Sequence, residues 1–320
     1  MSTPTAAERI HGCLAGTAVA EAAALDPAGT DAPGPASRPL GAAGQLTLFT
    51  ADALAEAIEW ANDGVHADEA ACVWLASLRW LGGQGVPIAP SAPVAQARWL
   101  DGQEGVRVPA RPLPAWVDSL ASGEMGTPAR PLGLAHDDAG AAAHTAPFGL
   151  VPHIPAAAVA KMSADAAHLT HGAAPAVQAA VAVAATAHYL ALGADAATAL
   201  GSARAQVASL RVPDPDVLSA LDGIGGVGVG AGPAAQALGR AASAVLAAES
   251  AGRSGEPLDG AFAAGVGLAA GHGSDAAAIA GALLGTLWGP AAVPSAWAER
   301  TAGMAAADGV AARLAAVTGA

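Results

Sequence analysis

The feature that most constrains the fold is a long succession of alanine-rich segments whose larger apolar residues recur at helical spacing. Alanine has the highest helix propensity of all residues, and its small side chain lets neighbouring helices pack closely. The segments predict helices over Pro155–Leu169, Pro175–Leu192, Asp195–Ser209, Ala234–Ala248, Leu258–Ala270, Ala276–Leu287 and Ser295–Val317. The pattern therefore predicts an all-α fold with tightly packed helices.

The first helix of the chain carries clear signals at its start and along one face. Thr5 and Glu8 have the spacing of a capping box, in which each side chain accepts a hydrogen bond from the other residue's backbone amide. Gly12 and Gly16 follow one helical turn apart. Because glycine has no side chain, this spacing predicts that another backbone approaches the helix closely.

A second helix opens at Asp68 and ends at Gly82-Gly83, where C-terminal glycines commonly stop helices. Strand signals are weak by comparison. Only Arg107–Val108 and the region around Leu46–Leu48 have short β-like patterns.

Two segments of the 320-residue chain are predicted to be loops, residues 26–44 and 83–114, because both are rich in proline and poor in periodic apolar positions. Helices resume after each loop without a change in composition, so we expect one domain over residues 1–320. The glycine run Gly223–Gly232 lacks a following Lys-Ser/Thr and a preceding strand. We therefore expect a flexible loop there rather than a phosphate-binding loop.

Charge and cysteine usage exclude several classes of function. The net charge is −13, which repels nucleic acid and anionic membrane.

The uncharged stretch Gly172–Ala194 contains proline, glutamine and histidine and is mostly Ala and Val, so it favours a buried helix over a membrane span. The N-terminus shows no signal-peptide pattern. Cys13 and Cys72 suggest no disulfide framework, and these observations predict a cytoplasmic protein.

Five segments, in order over residues 8–300, resemble the ADP-ribosylglycohydrolase family. The segments are the opening helix ending at residues 20–24, then 44–50, 138–149, 169–171, and 271–285 followed by Val293, Pro294 and Trp297. In the family these places carry Gly-Asp-Ala-Leu-Gly, Thr-Asp-Asp-Thr before a helix, Gly-Asn-Gly with Met-Arg and Ala-Pro-Leu-Gly, Leu-Thr-His, and Gly-Asp-Thr-Asp-Thr before a helix. The resemblance implies one compact all-α domain of a dozen or more helices.

The resemblance also implies an active site with two Mg²⁺ ions, bound by aspartates and threonines of the second and last motifs. In this chain Leu48 and Phe49 match the first pair of aspartates, with Thr47 before them, while His272 and Ser274 match the second pair. Magnesium prefers hard, ionised oxygen ligands. We therefore expect no bound metal and no other cofactor. We expect the apolar pair to pack into the vacated site, which leaves either a filled cleft or one reshaped for a different ligand.

The same alignment supplies the candidate site residues. The ligand-binding candidates are Thr47, Leu48, Phe49, Gly140, His144, His272 and Ser274, and the catalytic candidates are Glu21, Asp275 and His272. His144 stands at the family's arginine position, where it would contact a phosphate only as a weaker, pH-dependent charge. Helix capping explains Asp275 equally well, and Glu21 also fits the polar end of an amphipathic helix.

Three functions remain open from the sequence. The leading prediction is a non-hydrolytic member of the family that binds an ADP-ribose-like or other nucleotide ligand, or a protein partner, through the cleft. The second is an active hydrolase of ADP-ribosyl or other N-glycosidic bonds that uses Glu21, Asp275 and His272 without metal or with one ion. The third is a scaffold whose cleft is filled by Leu48 and Phe49.

Overall fold

A computed structural model of the chain describes residues 3–26, 38–223 and 230–320. Within these ranges the chain forms α-helices and short 3-10 turns, with no strand beyond two isolated bridges. The helices are α1 (Ala6–Leu25), α2 (Ala42–Asn62), α3 (Glu69–Gly83), α4 (Pro114–Leu120), α5 (Gly140–Ala143), α6 (Ala156–Ala167), α7 (Ala174–Ala191), α8 (Ala196–Ala208), α9 (Pro215–Leu221), α10 (Pro233–Arg253), α11 (Leu258–Ala270), α12 (Ser274–Trp288), α13 (Ser295–Arg300) and α14 (Met304–Thr318). The predicted all-α fold is confirmed.

Helix ends follow the predicted capping residues. The Thr5 amide donates to the Glu8 carboxylate at 2.7 Å, and the Glu8 amide donates to the Thr5 hydroxyl at 3.2 Å, which completes the capping box of α1. Asp68 caps α3 by accepting the Ala71 amide at 3.1 Å. These local bonds satisfy amides that a helix start leaves without a partner, so both starts are set by the nearby sequence.

Helices α1 and α12 cross at what we call the glycine seam, formed by Gly12, Gly16, Gly281 and Gly285. A Cβ atom on Gly16 would overlap the Gly281 carbonyl, and one on Gly285 would overlap the Gly12 carbonyl. The two backbones therefore touch directly, as the spacing of Gly12 and Gly16 predicts. No other residue fits at these positions without separating the helices.

Helix α7 lies in the core and packs against α6, α8, α10 and α12. By length and hydropathy it is the one described helix that passes as a membrane span, but 78% of it is buried inside the fold. That burial is typical of the core helix of a soluble domain. Buried Arg9 donates to the carbonyls of Leu190 and Thr286, both at 2.9 Å, and so satisfies the C-terminal ends of α7 and α12.

Three predictions of secondary structure are wrong. Leu46–Leu48 lies inside α2, since the β-like residues also continue a helical apolar face, and Arg107–Val108 follows a 3-10 turn. The predicted single helix over Ser295–Val317 is two helices, α13 and α14. Helix α13 ends at Arg300, where Thr301 is extended, and Gly303, whose φ of 86° is left-handed, precedes the first residue of α14.

The predicted loop over residues 83–114 contains two short 3-10 turns, Trp99–Gly102 and Glu104–Val106. Most of the predicted loop over residues 26–44 lies outside the described residues, but its end belongs to α2, which begins at Ala42. Residues 224–229 of the glycine run also lie outside the described part.

Candidate functional site

Three helix ends meet at one side of the fold and enclose a cavity of about 310 Å³, which we call the cleft. The cleft is lined by Glu21 at the end of α1, Gly41–Ala43 at the start of α2, Ser274 and Asp275 at the start of α12, and Arg111, Leu113 and Trp116 in and before α4. The cleft is open, and neither Leu48 nor Phe49 is among the residues that line it. The prediction that this apolar pair fills the site is therefore wrong.

Glu21 is buried and its carboxylate closes the N-terminus of α2. One carboxylate oxygen accepts the Ala43 amide at 3.0 Å and the other accepts the Gly44 amide at 2.6 Å. The N-cap residue of α2 is Gly41, which offers no capping side chain of its own. Burial raises the pKa of Glu21 to about 7, although both amide bonds favour the ionised form. Because both oxygens are engaged by backbone amides, Glu21 acts as the cap of α2.

Glycine is required beside this carboxylate. A Cβ atom on Gly41 or on Gly44 would meet the Glu21 carboxylate. The glycines therefore leave room for the buried acid, and the arrangement joins the end of α1 to the start of α2. Glu21 was predicted as an acid in the cleft, and the structure places it there with this additional contact.

Asp275 is the second residue of α12 and faces the cleft beside Ser274. Burial, with a smaller contribution from the charge of Asp138, raises the pKa of Asp275 to about 6. The cap position of α12 is Gly273, with φ of 116°, and no side chain caps this helix. Asp275 is not the N-cap residue, but it lies in the first turn of α12, where an acidic side chain favours the helix start, and its carboxyl group also lines the cleft.

A buried histidine and an aspartate form a hydrogen-bonded pair near Asp275. His171 Nε2 donates to Asp138 Oδ1 at 2.8 Å, and the Gly140 amide donates to the same oxygen at 2.9 Å. Burial opposes ionisation of Asp138, but His171 and the Gly140 amide together hold its pKa below the ordinary value. Two neighbouring carboxyl groups therefore differ, since Asp138 favours the charged form and Asp275 retains its proton at higher pH.

Gly140 was predicted to bind a ligand, and it lies behind the cleft rather than in its wall. It begins α5 and is buried, and a Cβ atom there would meet Leu113, Asp138 and Trp116. It allows the cleft wall to pack against the His171–Asp138 pair. Its contact with any ligand is indirect, through these residues.

The predicted residues of α2 lie away from the cleft. The Thr47 hydroxyl donates to the Ala43 carbonyl at 2.8 Å, so it is bonded within its own helix. Leu48 is fully buried, and Phe49 packs under the Arg79 guanidinium, 5.9 Å from its ring centre. All three residues are buried in the core of the fold, and none of them lines the cleft.

Neither predicted histidine reaches the cleft. His144 is buried, its Nδ1 lies 3.0 Å from the Thr50 hydroxyl, and burial lowers its pKa to about 3. It is therefore uncharged and offers no positive charge to a phosphate. His272 is exposed in the turn between α11 and α12 and does not line the cleft.

The misplacement of the α2 residues has a simple cause. The family motif stands directly before a helix, and α2 begins at Ala42. The residues at the helix start that face the cleft are Gly41–Ala43, and Gly44 follows them. The alignment at Thr47 is therefore displaced along the helix. In either placement the chain has no carboxylate where the resemblance implies two aspartates.

The residues of the cleft do not fit a pair of Mg²⁺ ions. Glu21 has both oxygens bound to amides, the start of α2 has no acidic side chain, and Asp275 is the remaining carboxyl group of the lining. Across the described ranges no group of three or more His, Cys, Asp or Glu residues is placed to hold a metal ion. Magnesium takes about six oxygen ligands, usually one or two carboxylates with several waters, so the single unengaged carboxyl group of Asp275 is too few for two ions.

Two residues of the cleft were missed in the sequence. Trp116 is 1% exposed, and its indole N–H is buried without a hydrogen-bond partner among the described residues. Arg111 is exposed at the mouth of the cleft. The only signal for this region is Pro114, which starts α4. It marks the helix but gives no indication that Trp116 lines the same cavity as Asp275.

Comparison with known proteins agrees with this architecture. A family model described as ADP-ribosylglycohydrolase matches residues 2–320. A solved structure described as an ADP-ribosylglycohydrolase-related protein complex is similar with a TM-score of 0.65 and 19% sequence identity, over 98% of this chain and 99% of that chain. A search of curated proteins gives no match. At 19% identity, this similarity establishes the fold and nothing about activity.

Proposed function

The chain belongs to the ADP-ribosylglycohydrolase family, and we propose that it binds a nucleotide-like ligand in its cleft without the family's pair of Mg²⁺ ions. The observation that carries the proposal is the start of α2, where the Glu21 carboxylate is bound to the amides of Ala43 and Gly44. The segment Gly41–Gly44 contains no acidic residue that could bind a metal ion instead of Glu21. Without the ions the protein lacks the Lewis acid and the activated water that metal-assisted hydrolysis needs. We therefore propose a non-hydrolytic member of the family.

The chemistry of the cleft fits a ribose at its base and a phosphate at its mouth. Asp275 and Ser274 offer oxygen atoms to sugar hydroxyl groups. Arg111 supplies a positive charge at the mouth, where a phosphate stays in contact with solvent. Diphosphate groups are disfavoured deeper in the cleft, because the carboxyl groups of Glu21 and Asp275 lie there without cations to balance them.

The test is calorimetric titration of the protein with ADP-ribose in EDTA and then in Mg²⁺. The proposal predicts saturable binding with the same affinity in both buffers. Asp275→Ala and Arg111→Ala should each weaken binding about tenfold, which corresponds to about 1.4 kcal/mol. Arg211→Ala is the matched control, because Arg211 is exposed and lies outside the cleft.

Binding that requires Mg²⁺ would overturn the proposal and favour an active metal-dependent enzyme. Absence of binding in both buffers would also overturn it, and would direct attention to a protein partner. Equal weakening by Arg211→Ala and Arg111→Ala would show that only the net charge of the chain matters, not the cleft.

A metal-free hydrolase is the second candidate, and one observation favours it. Asp275 has a raised pKa and neighbouring Asp138 has a lowered pKa, so one carboxyl group retains a proton that the other lacks. Asp275 lines the cleft and is the proposed general acid, whereas Asp138 lies behind the cleft wall and acts on Asp275 through its charge. Release of ADP-ribose from an ADP-ribosylated peptide in EDTA, abolished by Asp275→Asn, would support this candidate. An intact peptide after prolonged incubation would exclude it.

The cytoplasm remains the proposed compartment. Cys13 is buried, Cys72 is half-buried, and both are free thiols. Free cysteines agree with a reducing environment. Fusion of the full chain to a fluorescent protein and microscopy would test this location.

A further inference from the structure

A second cavity lies beside the other end of α2. It measures about 570 Å³ and is enclosed by the C-terminal half of α2, the start of α3, helix α6 and the loops around Gly126 and Val151. It shares no lining residue with the cleft. Its size falls within the range of about 300–1,000 Å³ that is usual for small-molecule sites. We call it the side cavity.

The walls of the side cavity are apolar and adaptable. Leu54 and Ile58 form the wall on α2, and Ile154 lies opposite them. Met125 and Met162 also line the cavity, which places two of the chain's four methionines here. Methionine side chains are unbranched and polarizable, so they adjust to apolar groups of different shape. The walls therefore suit an apolar body rather than a polar one.

The rim of the side cavity is acidic. Asp68 and Glu69 stand in the first turn of α3, and Asp165 stands on α6. Lys161 is the one lysine of the rim, and its ammonium group is paired with Asp165. The pairing with Asp165 raises the pKa of Lys161, with further contributions from Glu69 and Asp68, and all four residues line the side cavity.

The remaining titratable group of the rim is His66, which is exposed. Asp68 caps α3 with one carboxylate oxygen, Oδ1, which accepts the Ala71 amide. After the Lys161–Asp165 pair is set aside, two carboxylates remain at the α3 side. The rim therefore attracts cations and repels anions, in agreement with the net charge of −13.

We propose that the side cavity binds a small amphipathic organic cation, with its apolar body between Met125 and Met162 and its ammonium group beside Glu69. The acidic rim favours the positive charge of the ligand, and the apolar walls favour its hydrocarbon part. The site is independent of the proposed ligand of the cleft, because the two cavities have no wall in common.

The test compares three probes of equal chain length, n-octylamine, octanoate and octanol, by calorimetric titration at neutral pH. Octylammonium should bind with saturation at one site. Octanoate should bind at least about tenfold more weakly, because its charge has the wrong sign, and octanol should lie between them. Equal affinities for octylammonium and octanoate would overturn the proposal, as would the absence of saturable octylammonium binding.

Neighbouring residues of α6 provide a matched pair of variants. Ala158→Trp fills the cavity that Ala158 lines, whereas Ala157→Trp places the same side chain at an exposed position outside it. Octylammonium binding should be lost in the first variant and retained in the second, with circular dichroism showing that both are folded. Retained binding in folded Ala158→Trp would show that the amine binds elsewhere.

Glu69→Gln separates charge from shape. It should weaken octylammonium binding severalfold and leave octanol binding unchanged, because octanol carries no charge. An unchanged affinity for octylammonium would overturn the role of the rim. ADP-ribose titration of the same variant is expected to match the wild type, so failure of the side cavity is distinguishable from failure of the cleft.

Discussion

Helices α1 and α12 touch along the glycine seam and part at the cleft, so one pair of helices contains both the closest packing and an open site. At the seam, Gly16 and Gly281 bring the two backbones into contact. Beyond the seam, the end of α1 bears Glu21 and the start of α12 bears Ser274 and Asp275, and the space between them is the cleft. Along these two helices, the glycines hold the helices together at the seam, and the acidic side chains line the cleft.

The seam is constrained by steric contact between backbones, and the cleft is constrained by the hydrogen bonds of one carboxylate. The seam tolerates no side chain, because any added atom meets a carbonyl group of the other helix. The cleft depends instead on a carboxylate being held, since Glu21 closes the start of α2 through two amide bonds. Substitutions should therefore be severe at the seam and graded at the cleft.

The largest effect is expected at the seam itself. Gly16→Val introduces a branched side chain where a Cβ atom already overlaps the Gly281 carbonyl, so α1 and α12 must separate. We expect a loss of more than about 4 kcal/mol in the free energy of unfolding, measured by urea denaturation.

The control for this prediction is a helical glycine with free space around it. A Cβ atom on Gly201 of α8 meets nothing within 4 Å. Gly201→Ala should therefore stabilise the protein by about 0.5–1 kcal/mol, because alanine loses less backbone entropy in a helix. Similar stabilities for Gly16→Val and the wild type would contradict the close contact at the seam.

The second prediction compares the core of α2 with its cleft end. Leu48→Asp places a carboxylate at a fully buried site without a partner, and we expect a loss of about 4 kcal/mol or more. Ala42→Asp puts the same group at the first residue of α2, beside the cleft, where the helix dipole favours it. Glu21 and Asp275 oppose the added charge, so we expect a cost of about 1–2 kcal/mol, clearly smaller than that of Leu48→Asp, by the same measurement.

If Ala42→Asp is as unstable as Leu48→Asp, the start of α2 is part of the buried core and does not line an open cleft. A stable Leu48→Asp variant would restore the original alignment, in which position 48 faces the site. The two outcomes are distinguishable in one denaturation series.

The third prediction concerns the carboxylate that closes α2. Glu21→Ala leaves the amides of Ala43 and Gly44 buried without acceptors, and we expect a loss of about 2–3 kcal/mol in unfolding free energy. Glu8→Ala removes the exposed half of the α1 capping box and should cost about 0.5–1 kcal/mol. Equal losses would mean that Glu21 is an ordinary exposed cap.

The smallest effect is a dependence of stability on pH. Burial raises the pKa of Asp275 to about 6 in the folded chain, whereas unfolded aspartate titrates near about 3.9. The folded chain therefore holds this proton more tightly, and the resulting stability is present below about pH 4 and is lost as the pH rises through about 6.

Asp275→Asn cannot lose a proton, so the difference in melting temperature between this variant and the wild type should widen from pH 4 to pH 7, in favour of the variant. We expect a change of a few degrees, about 2–4 °C for each kcal/mol. Parallel melting curves over this range would indicate that Asp275 is exposed to solvent rather than buried in the cleft.

Much of the fold could be predicted because its determinants are local. The Thr5–Glu8 box, the Asp68 cap and the glycine spacing of α1 each act over a few residues, and each is present in the structure. The break between α13 and α14 was missed because a single glycine does not decide between a continuous helix and two helices.

The cleft was harder to predict because its residues come from distant parts of the chain. Arg111 and Trp116 line the same cavity as Asp275 only once the chain has folded, with α4 packed against α3, and no spacing in the sequence reports that arrangement. The start of α2 was also missed, although the helical spacing of Leu46, Phe49 and Ala53 continues back to Ala42. That spacing would have corrected the position of the motif.

The most direct test of the central claim is titration of Mg²⁺ into the protein, followed by calorimetry with and without ADP-ribose. Our account predicts no saturable Mg²⁺ binding at millimolar concentration, because Glu21 is bound to amides and the start of α2 has no carboxylate. Saturable binding of Mg²⁺ that is lost in Asp275→Asn would contradict it, and would establish the cleft as a metal site.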